Sequence, residues 1–574
     1  MQTSGFFPFF SQLRLLEWLV SAIIAGIALI LIVQTIWLMD RGFDFTDESF
    51  YLMWAQRPAD FDIAYGLFGY GLHPIFELVG GSVSGLRRIA AIIIAVTGIL
   101  VSAVVLTNTS VGRRSSVALQ VVSTSALLPF MYYIFWLLTP SYNWFALLGA
   151  LLLFSAIADL CQVRHHLRSS VFAAVAIVLM VFSRPHNALA FASLYCIATV
   201  LFVPLLSGKL KQLALLAFWS ATILVIFAYF APLRSIIKQI EGYFAIFGMH
   251  HPLATGFWDR IFEFIRNPGL LFACSAVLFL ISITTQQQSR WSHWVIKLIL
   301  VITALAFSAQ AIRDLSADFA HRIGPTMGAL TFVVLSLASV RKNANFRLLG
   351  LLGLAALLPL AATFGSADRI FEQLEFFCGV WGIIALVAIA DASCQQSFRV
   401  AAAAAVCLAF VHSAIRDGLA HPYRLAASVE MQVKPTVLGS GSELKLDVKT
   451  STFVETLQRR ANEAGFCRND PTIDLGSARP GIVFAMGGRA PIFPWIISGY
   501  QFSERLGREV LKRVGETLLM RTWLITGDSS FSTEQLKSFG IDLTGRKIVV
   551  ELHDPLNGGI VKLFAPPSIS VPCS

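Results

Sequence analysis

The chain has 574 residues, of which 56% are hydrophobic and only 14% are charged. A water-soluble fold could not bury that much apolar surface, so the composition excludes a soluble globular protein and makes lipid the main solvent. The formal net charge of +10 is interpreted as the excess of Lys and Arg that membrane proteins carry in cytoplasmic loops, and no nucleic-acid partner is expected.

Apolar runs long enough to cross a bilayer follow one another along most of the chain. The first run is too long for a signal-peptide core and no cleavage site follows it, so it is predicted to remain as an anchor. On the rule of roughly 20 apolar residues per span, about 13 spans are predicted. They are 16–39, 89–106, 117–138, 144–160, 171–182, 188–206, 213–233, 270–284, 294–312, 324–340, 348–364, 374–390 and 400–415.

Basic residues cluster in alternate loops between these spans, for example at Arg113 and Arg114, at Lys209 and Lys211, and at Arg341. The positive-inside rule places those loops in the cytoplasm. The N-terminus is then cytoplasmic, while the long first loop, 40–88, and the tail lie outside. The predicted fold is a polytopic α-helical membrane domain, 1–415, followed by a soluble extracytoplasmic α/β domain, 416–574. A bacterial inner membrane, with the tail in the periplasm, suits this arrangement.

The composition of the tail differs abruptly from that of the spans. Segments 458–464 and 503–512 have the pattern of amphipathic helices, and 482–486, 522–526 and 548–552 that of buried strands. Cys467 and Cys573 are the cysteines of this tail, and they are candidates for a disulfide if it faces an oxidising compartment. No cysteine spacing indicates a zinc site.

Carboxylates gather at the start of the first loop, immediately after the first span. Asp44, Asp47 and Glu48 precede an apolar and aromatic stretch, 49–54, that is predicted to lie flat in the headgroup layer. This order places acid/base groups beside lipid, where they could act on a lipid-linked substrate. The alternative is that a solvated loop simply carries charges.

The same loop continues with Gly71-Leu72-His73-Pro74 and, just before the second span, Gly85-Leu86-Arg87-Arg88. The order of these motifs resembles the opening of the C-type glycosyltransferase superfamily (GT-C). It is most similar to the branch of the protein O-mannosyltransferases and lipid A aminoarabinose transferases, whose first loop typically has Asp-Glu, then His-Pro-Pro, then Leu-Arg. The sequence departs from that pattern at Ile75, which stands in place of the second proline.

The resemblance implies inverting transfer of a hexosyl or pentosyl group from a polyprenyl-phosphate carrier to a glycan, lipid or protein acceptor, without a nucleotide-sugar site. It makes Asp47 the base, with Asp44 as its substitute. Glu48 would position the acceptor or a divalent metal ion, although metal dependence stays open. His73 and His321 become candidate acceptor or loop residues.

Cations on the same outer face are candidate ligands for the carrier phosphate, because guanidinium groups bind phosphate through forked donors. Arg184 and His186 flank a proline that interrupts an apolar run, and Arg322 and Arg369 lie in short outer loops, Arg322 beside His321. The alternative is an ordinary interhelical turn with a snorkelling arginine, or loop cations paired with nearby acids.

Three other classes remain open. A secondary transporter would also have many spans, but it would place ionisable groups near the membrane midplane and show two related halves. A lipid-linked glycan ligase or polymerase would share the carrier and rely on Arg or His in a large, late outer loop. A non-catalytic assembly subunit is the third class.

Overall fold

The structure is a computed structural model. The residues that it describes are 7–63, 66–109, 111, 114–162, 166–247, 277, 322–341, 344–364, 370–393, 396–476, 479–495, 503–528 and 531–567. Helices and strands are numbered below within this part of the chain.

The described residues up to 420 are mostly helical. Its helices are α1 (Phe7–Trp37), α2 (Asp47–Gln56), α3 (Phe68–Leu78), α4 (Val83–Leu106), α5 (Ser115–Leu127), α6 (Tyr142–Leu160), α7 (His166–Ser183), α8 (Pro185–Phe202), α9 (Leu206–Phe230), α10 (Leu233–Phe247), α11 (Ile323–Ser339), α12 (Phe346–Ala355), α13 (Leu358–Thr363), α14 (Ile370–Leu374), α15 (Cys378–Ala392) and α16 (Ser397–Ala420).

Ten membrane-length helices lie within the described part of the chain, and α11 is a shorter apolar helix. The protein is therefore an integral membrane protein. Every predicted span that falls on described residues coincides with one of these apolar helices, whereas the predicted spans 270–284 and 294–312 lie outside the described residues. The predicted span 117–138 ends early, because α5 gives way at Leu128 to a 3-10 helix that ends at Tyr133 and contains Pro129.

Two described membrane spans, Tyr142–Leu160 (α6) and Glu372–Ala392, are each 94% buried in protein, while α9 is only 6% buried and lies at the periphery. Close helix approach uses small residues, as expected where lipid supplies no hydrophobic driving force between helices. At Gly98 in α4, a Cβ atom would collide with the backbone carbonyl of Ser125 in α5. Small residues thus let α4 and α5 pack closely within the bundle.

The long first loop, 40–88, folds back on the bundle, and its helices are α2 and α3. The aromatic side chains of α2 are buried, with Phe50 1%, Tyr51 3% and Trp54 0% exposed. Phe50 contacts Phe493 and stacks on Trp495 of the soluble domain, with ring centroids 5.5 and 5.4 Å away. The prediction that 49–54 lies in the headgroup layer is therefore wrong, because the aromatic side chains of this segment are buried in the protein, partly against the soluble domain.

The described residues of the soluble domain form two small sheets and several helices. Its elements are β1 (Lys434–Val437), β2 (Glu443–Leu446), α17 (Val448–Glu463), β3 (Thr472–Asp474), α18 (Pro480–Met486), α19 (Ser503–Lys512), α20 (Glu516–Leu519), β4 (Trp523–Thr526), α21 (Thr533–Ser538), β5 (Ile548–His553) and β6 (Ile560–Phe564). Strands β1 and β2 form an antiparallel hairpin. The other sheet has the order β3-β4-β6-β5, in which only the β3–β4 pair is parallel.

Segment 482–486 forms most of helix α18, so its prediction as a strand is wrong. A short apolar run fits a buried strand and a buried helix equally well. The flanking residues decide for the helix. Pro480 occupies its first turn, where no amide donor is needed, and Gly487 ends it with φ +83°.

The soluble domain docks directly on the first loop. Lys445 pairs with Asp40 at 2.8 Å, and Arg489 holds Asp60 through two hydrogen bonds of 2.8 and 2.9 Å. The backbone amide of Gly481 donates to the carbonyl of Phe45 at 2.8 Å. The last of these contacts holds the start of α18 against the acidic turn that precedes α2, and the two ion pairs hold the domain on the segments either side of that turn and helix.

Among the described cysteines, Cys161, Cys196, Cys378 and Cys407 are free, whereas Cys467 in the soluble domain is disulfide-bonded. Cys573, its predicted partner, lies outside the described residues. A disulfide in this domain is typical of an oxidising compartment.

Candidate active site

Asp44 organises the turn that leads into α2. Its carboxyl group accepts hydrogen bonds from the Thr46 amide at 2.9 Å, the Thr46 hydroxyl at 2.7 Å and the Glu48 amide at 3.2 Å. The side chain is only 2% exposed. Burial raises the pKa of Asp44 to about 7, and the negative charge of Asp47 adds to the effect. Asp44 therefore stabilises the turn from its buried side and is poorly placed to reach a substrate.

The raised pKa makes the stability of the fold depend on pH. Because the folded state holds the Asp44 proton more tightly than the unfolded chain, this contribution is complete below the unfolded pKa of about 3.9 and is lost as pH rises through about 7. We expect the Tm to fall from pH 4 to pH 8, and to fall less in Asp44→Asn. Asp474 has its pKa raised to about 7 by burial as well, so the variant should remove only part of the slope.

Fluorescence-detected melting of the purified protein across that pH range checks this expectation. Glu77→Gln, which changes an exposed acid of the same loop, serves as the control and should keep the wild-type slope. An equal slope in Asp44→Asn and wild type would contradict the assigned burial.

Glu48 forms a buried ion pair with Arg87 at the start of α4. The Arg87 guanidinium lies 2.7 Å from the Glu48 carboxylate and also donates to the carbonyls of Met39 and Gly42 at 2.9 and 3.0 Å. Thr139 donates to the same carboxylate at 2.5 Å. Glu48 thus links the two ends of the first loop through Arg87. Because its carboxylate is already engaged by Arg87 and Thr139, Glu48 has a structural role and little capacity to position an acceptor or a metal ion.

Asp47 stands at the start of α2, where the helix dipole favours a negative charge. Its carboxylate accepts a 2.7 Å hydrogen bond from the Tyr423 hydroxyl and lies 3.4 Å from the Arg424 guanidinium. The side chain is 19% exposed. Of the three acids predicted here, Asp47 is therefore both held in place and reachable.

Tyr423 and Arg424 follow the last membrane helix and were missed from the sequence. Burial raises the pKa of Tyr423 well above its ordinary value, and the charge of Asp47 adds to this. Arg424 has φ +50° and lies over the Tyr423 ring at 4.8 Å. Backbone strain of this kind persists where surrounding contacts over-determine it, often at functional sites. The signal available in the sequence was an Arg beside an aromatic residue just outside the final span.

Arg184 connects α7 to α8 and is 8% exposed. Its guanidinium lies over the Tyr142 ring at 4.5 Å and donates to the side-chain oxygens of Asn143 and Gln373 at 3.1 and 3.0 Å and to the carbonyl of Ala362 at 3.5 Å. All of these partners are uncharged, and no carboxylate of the described residues pairs with it. A buried cation without a counter-ion is unfavourable, so the position suits an anionic ligand.

A short chain of aromatic contacts joins Asp47 to Arg184. Tyr51 lies one helical turn after Asp47, on the same side of α2. The centroids of the Tyr51 and Tyr142 rings lie 5.9 Å apart, and the Arg184 guanidinium lies over the Tyr142 ring. Successive ring contacts therefore connect the helix that bears Asp47 with the buried guanidinium of Arg184 at the same end of the membrane helices.

The other predicted cations fall near this region or outside the described part of the chain. Arg322 lies immediately before α11. Within α11, the Gly324 amide donates a 2.6 Å hydrogen bond to the side chain of Glu375. Glu375 lies two residues after Gln373, which contacts Arg184. The ring of His186 lies 6.4 Å from that of Phe364. Arg369 and His321 lie outside the described residues.

His73 packs inside the first loop. Its Nδ1 atom forms a 2.8 Å hydrogen bond with the carbonyl of Ala55, which ties α3 to the end of α2. This contact supports a role in holding the loop. Within the described part of the chain, no cluster of three or more His, Cys, Asp or Glu side chains could hold a metal ion.

Comparison with known proteins gives few matches. No protein-family model and no curated protein matches the chain. Two solved structures of ArnT from Cupriavidus metallidurans do. The apo form has 11% identity and a TM-score of 0.39, and covers 100% of this chain and 99% of that one. The form bound to undecaprenyl phosphate has 12% identity and a TM-score of 0.37, and covers 100% of both chains. A likeness of this size does not transfer an activity or a ligand between chains.

Proposed function

We propose that the protein is a membrane glycosyltransferase that moves a sugar from a polyprenyl-phosphate carrier to an envelope glycan, lipid or protein acceptor. The observation that carries this proposal is Arg184, a buried guanidinium with uncharged partners at the outer end of the membrane helices, linked through Tyr142 and Tyr51 to the helix that bears Asp47. One group suits a lipid phosphate and the other suits a base.

In the proposed reaction, Asp47 accepts the proton of an acceptor hydroxyl as that oxygen attacks the anomeric carbon of the donor sugar. The bond between the anomeric carbon and the phosphate oxygen breaks, with inversion, and the polyprenyl phosphate leaves with its negative charge. Arg184 stabilises that charge. Tyr423 and Arg424 hold the Asp47 carboxylate in place.

The orientation is part of the proposal. The first loop and the soluble domain face the outer compartment of a bacterial inner membrane, with the N-terminus in the cytoplasm. The disulfide at Cys467 supports an oxidising compartment for that domain. Basic residues at the opposite helix ends, among them Lys209, Lys211 and Arg341, support a cytoplasmic location for those ends.

Arg184→Gln should weaken binding of the carrier. Hydrogen bonds to a charged group contribute about 1.5–3 kcal/mol, which corresponds to a rise in the Kd for polyprenyl phosphate of about 10- to 100-fold. Native mass spectrometry of the protein in nanodiscs measures that Kd. Arg341→Gln, an exposed arginine near the opposite end of the helices, should leave it unchanged. Equal binding by wild type and Arg184→Gln would remove Arg184 from the phosphate site.

Mass spectrometry of the envelope glycans and carrier lipids, in cells with and without the protein, tests the function itself. Cells without the protein should lack one sugar substituent and accumulate the corresponding polyprenyl-phosphate-sugar, which would identify both donor and acceptor. Identical glycans and carrier pools in the two strains would contradict a transferase.

A further inference from the structure

A cavity of about 210 Å³ opens in the soluble domain where its two parallel strands end. Asp474 is the last residue of β3 and Thr526 the last of β4, and both line the cavity. In α/β sheets, ligands bind beyond the carboxyl ends of parallel strands, where loops diverge and leave a crevice. The cavity thus lies where α/β sheets bind ligands, and none of its lining residues takes part in the proposed transfer reaction.

The lining combines hydrogen-bonding groups with an apolar wall. Asp528, Asn557 and Thr526 line it with polar side chains, and Gly476, Gly527 and Gly559 carry no side chain that would fill it. The apolar side consists of Ile482, Ile525, Ile560 and Val561. Closely spaced donors and acceptors facing an apolar wall fit a polyhydroxylated ring, whose hydroxyls form hydrogen bonds while its C–H face packs on the aliphatic side chains.

The charge of the lining argues against an anionic ligand. Two carboxylates, Asp474 and Asp528, line the cavity, and Arg479 is its one cation among the described residues. The Arg479 guanidinium is already paired with Asp554. A phosphate or a carboxylate ligand would therefore find no unpaired cation among the described lining residues, whereas a neutral ligand needs none.

The size fits a single ring. An engineered cavity of about 150 Å³ is enough to hold benzene, so about 210 Å³ leaves room for a six-membered ring with several hydroxyl groups. A lipid chain or an oligosaccharide would not fit inside as a whole.

The cavity also adjoins the acidic turn of the candidate active site. The Arg479 amide donates to Asp474 at 2.7 Å, and Asp44 and Arg424 both act electrostatically on the Arg479 side chain. Two residues further on, the Gly481 amide donates to the carbonyl of Phe45. One short segment, 479–481, thus joins the cavity to the turn that precedes Asp47.

We propose that this cavity binds a neutral saccharide unit of the acceptor through its hydroxyl groups. The role of that saccharide as part of the acceptor rests on the proposed function, whereas its binding does not. The site would hold the acceptor glycan on the soluble domain while another of its hydroxyls reaches Asp47.

Gly527→Leu is the variant that tests the site. A Cβ atom at this position meets the Ile560 carbonyl at 3.7 Å and the Gly476 Cα at 3.8 Å, which are ordinary contacts, so the backbone at this position accepts a Cβ atom. Both neighbours line the cavity, and a leucine would occupy its space. Gly545→Leu is the matched control, because nothing lies within 4 Å of a Cβ there.

Saturation-transfer NMR of the full-length protein in nanodiscs measures binding of methyl glycosides of neutral hexoses and pentoses, with methyl glucuronide as the anionic probe. Wild type, Gly545→Leu and Asp47→Asn should bind at least one neutral glycoside with the same Kd, and Gly527→Leu should raise that Kd at least tenfold. Asp47→Asn separates this site from the transfer step, because binding should persist where transfer is lost.

Three results would overturn the proposal. They are the absence of binding by every neutral glycoside to wild type, an unchanged Kd in Gly527→Leu, and binding of methyl glucuronide as tight as that of the neutral glycosides. A failure of the transferase proposal would show separately, as normal sugar transfer by Asp47→Asn, and would leave these binding results unaffected.

Discussion

Asp47→Asn is expected to lower the rate of sugar release from a polyprenyl-phosphate-sugar by about 10²- to 10⁴-fold, the usual contribution of a general base. The amide cannot accept the proton of the acceptor hydroxyl. It can still accept the hydrogen bond from Tyr423, so the expression level and the Tm should stay close to those of wild type. The measurement is the initial rate of release in proteoliposomes of known protein content.

Two controls give this result its meaning. Glu77→Gln removes an exposed carboxylate from the same loop and should keep the wild-type rate. Asp44→Asn tests the substitute base. A wild-type rate in Asp47→Asn together with a large loss in Asp44→Asn would move the base to Asp44, and wild-type rates in both variants would eliminate this acidic turn as the source of the base.

Arg87→Met is expected to destabilise the protein by about 3–5 kcal/mol, the cost of leaving one member of a buried ion pair without its partner. The variant leaves the Glu48 carboxylate and the carbonyls of Met39 and Gly42 without the partner that Arg87 provides in the protein interior. Titration with sodium dodecyl sulfate, followed by circular dichroism, measures the change in unfolding free energy.

The neighbouring Arg88 provides the matched control for that variant. It is 42% exposed and lies 4.0 Å from Asp40, so Arg88→Met should cost no more than about 1 kcal/mol. The double variant Arg87→Met/Glu48→Leu should recover much of the lost stability, because it removes both charges. Equal losses in Arg87→Met and Arg88→Met would contradict the assigned ion pair.

The spans could be predicted from the sequence because lipid requires long apolar helices, and such runs are visible without any tertiary information. The basic clusters likewise set their predicted orientation. The end of α5 could not be predicted in this way, since a proline within a uniformly apolar run changes the backbone without changing the hydrophobicity. The secondary structure of segment 482–486 was predicted wrongly for a related reason, because a run of five apolar residues does not distinguish a helix from a strand.

The candidate site could be predicted only in part. The acids of the first loop and Arg184 were visible as charges beside membrane segments. The pairing of Glu48 with Arg87 was not, although both residues belong to the motifs that carry the GT-C resemblance. Tyr423 lies 376 residues from the Asp47 that it contacts, and no local pattern reveals such a contact. Burial of the aromatic face of α2 depends on the soluble domain, so the loop alone suggested a lipid-facing segment.

The most direct test of the proposed transfer uses a donor that carries one label on the sugar and another on the polyprenyl chain, in proteoliposomes that contain the purified protein and an extract of envelope glycans. The sugar label should move to the glycan fraction, while an equal amount of labelled polyprenyl phosphate appears in the lipid. Sugar and carrier labels that stay joined, whether the donor remains in place or crosses the membrane intact, would contradict a transferase.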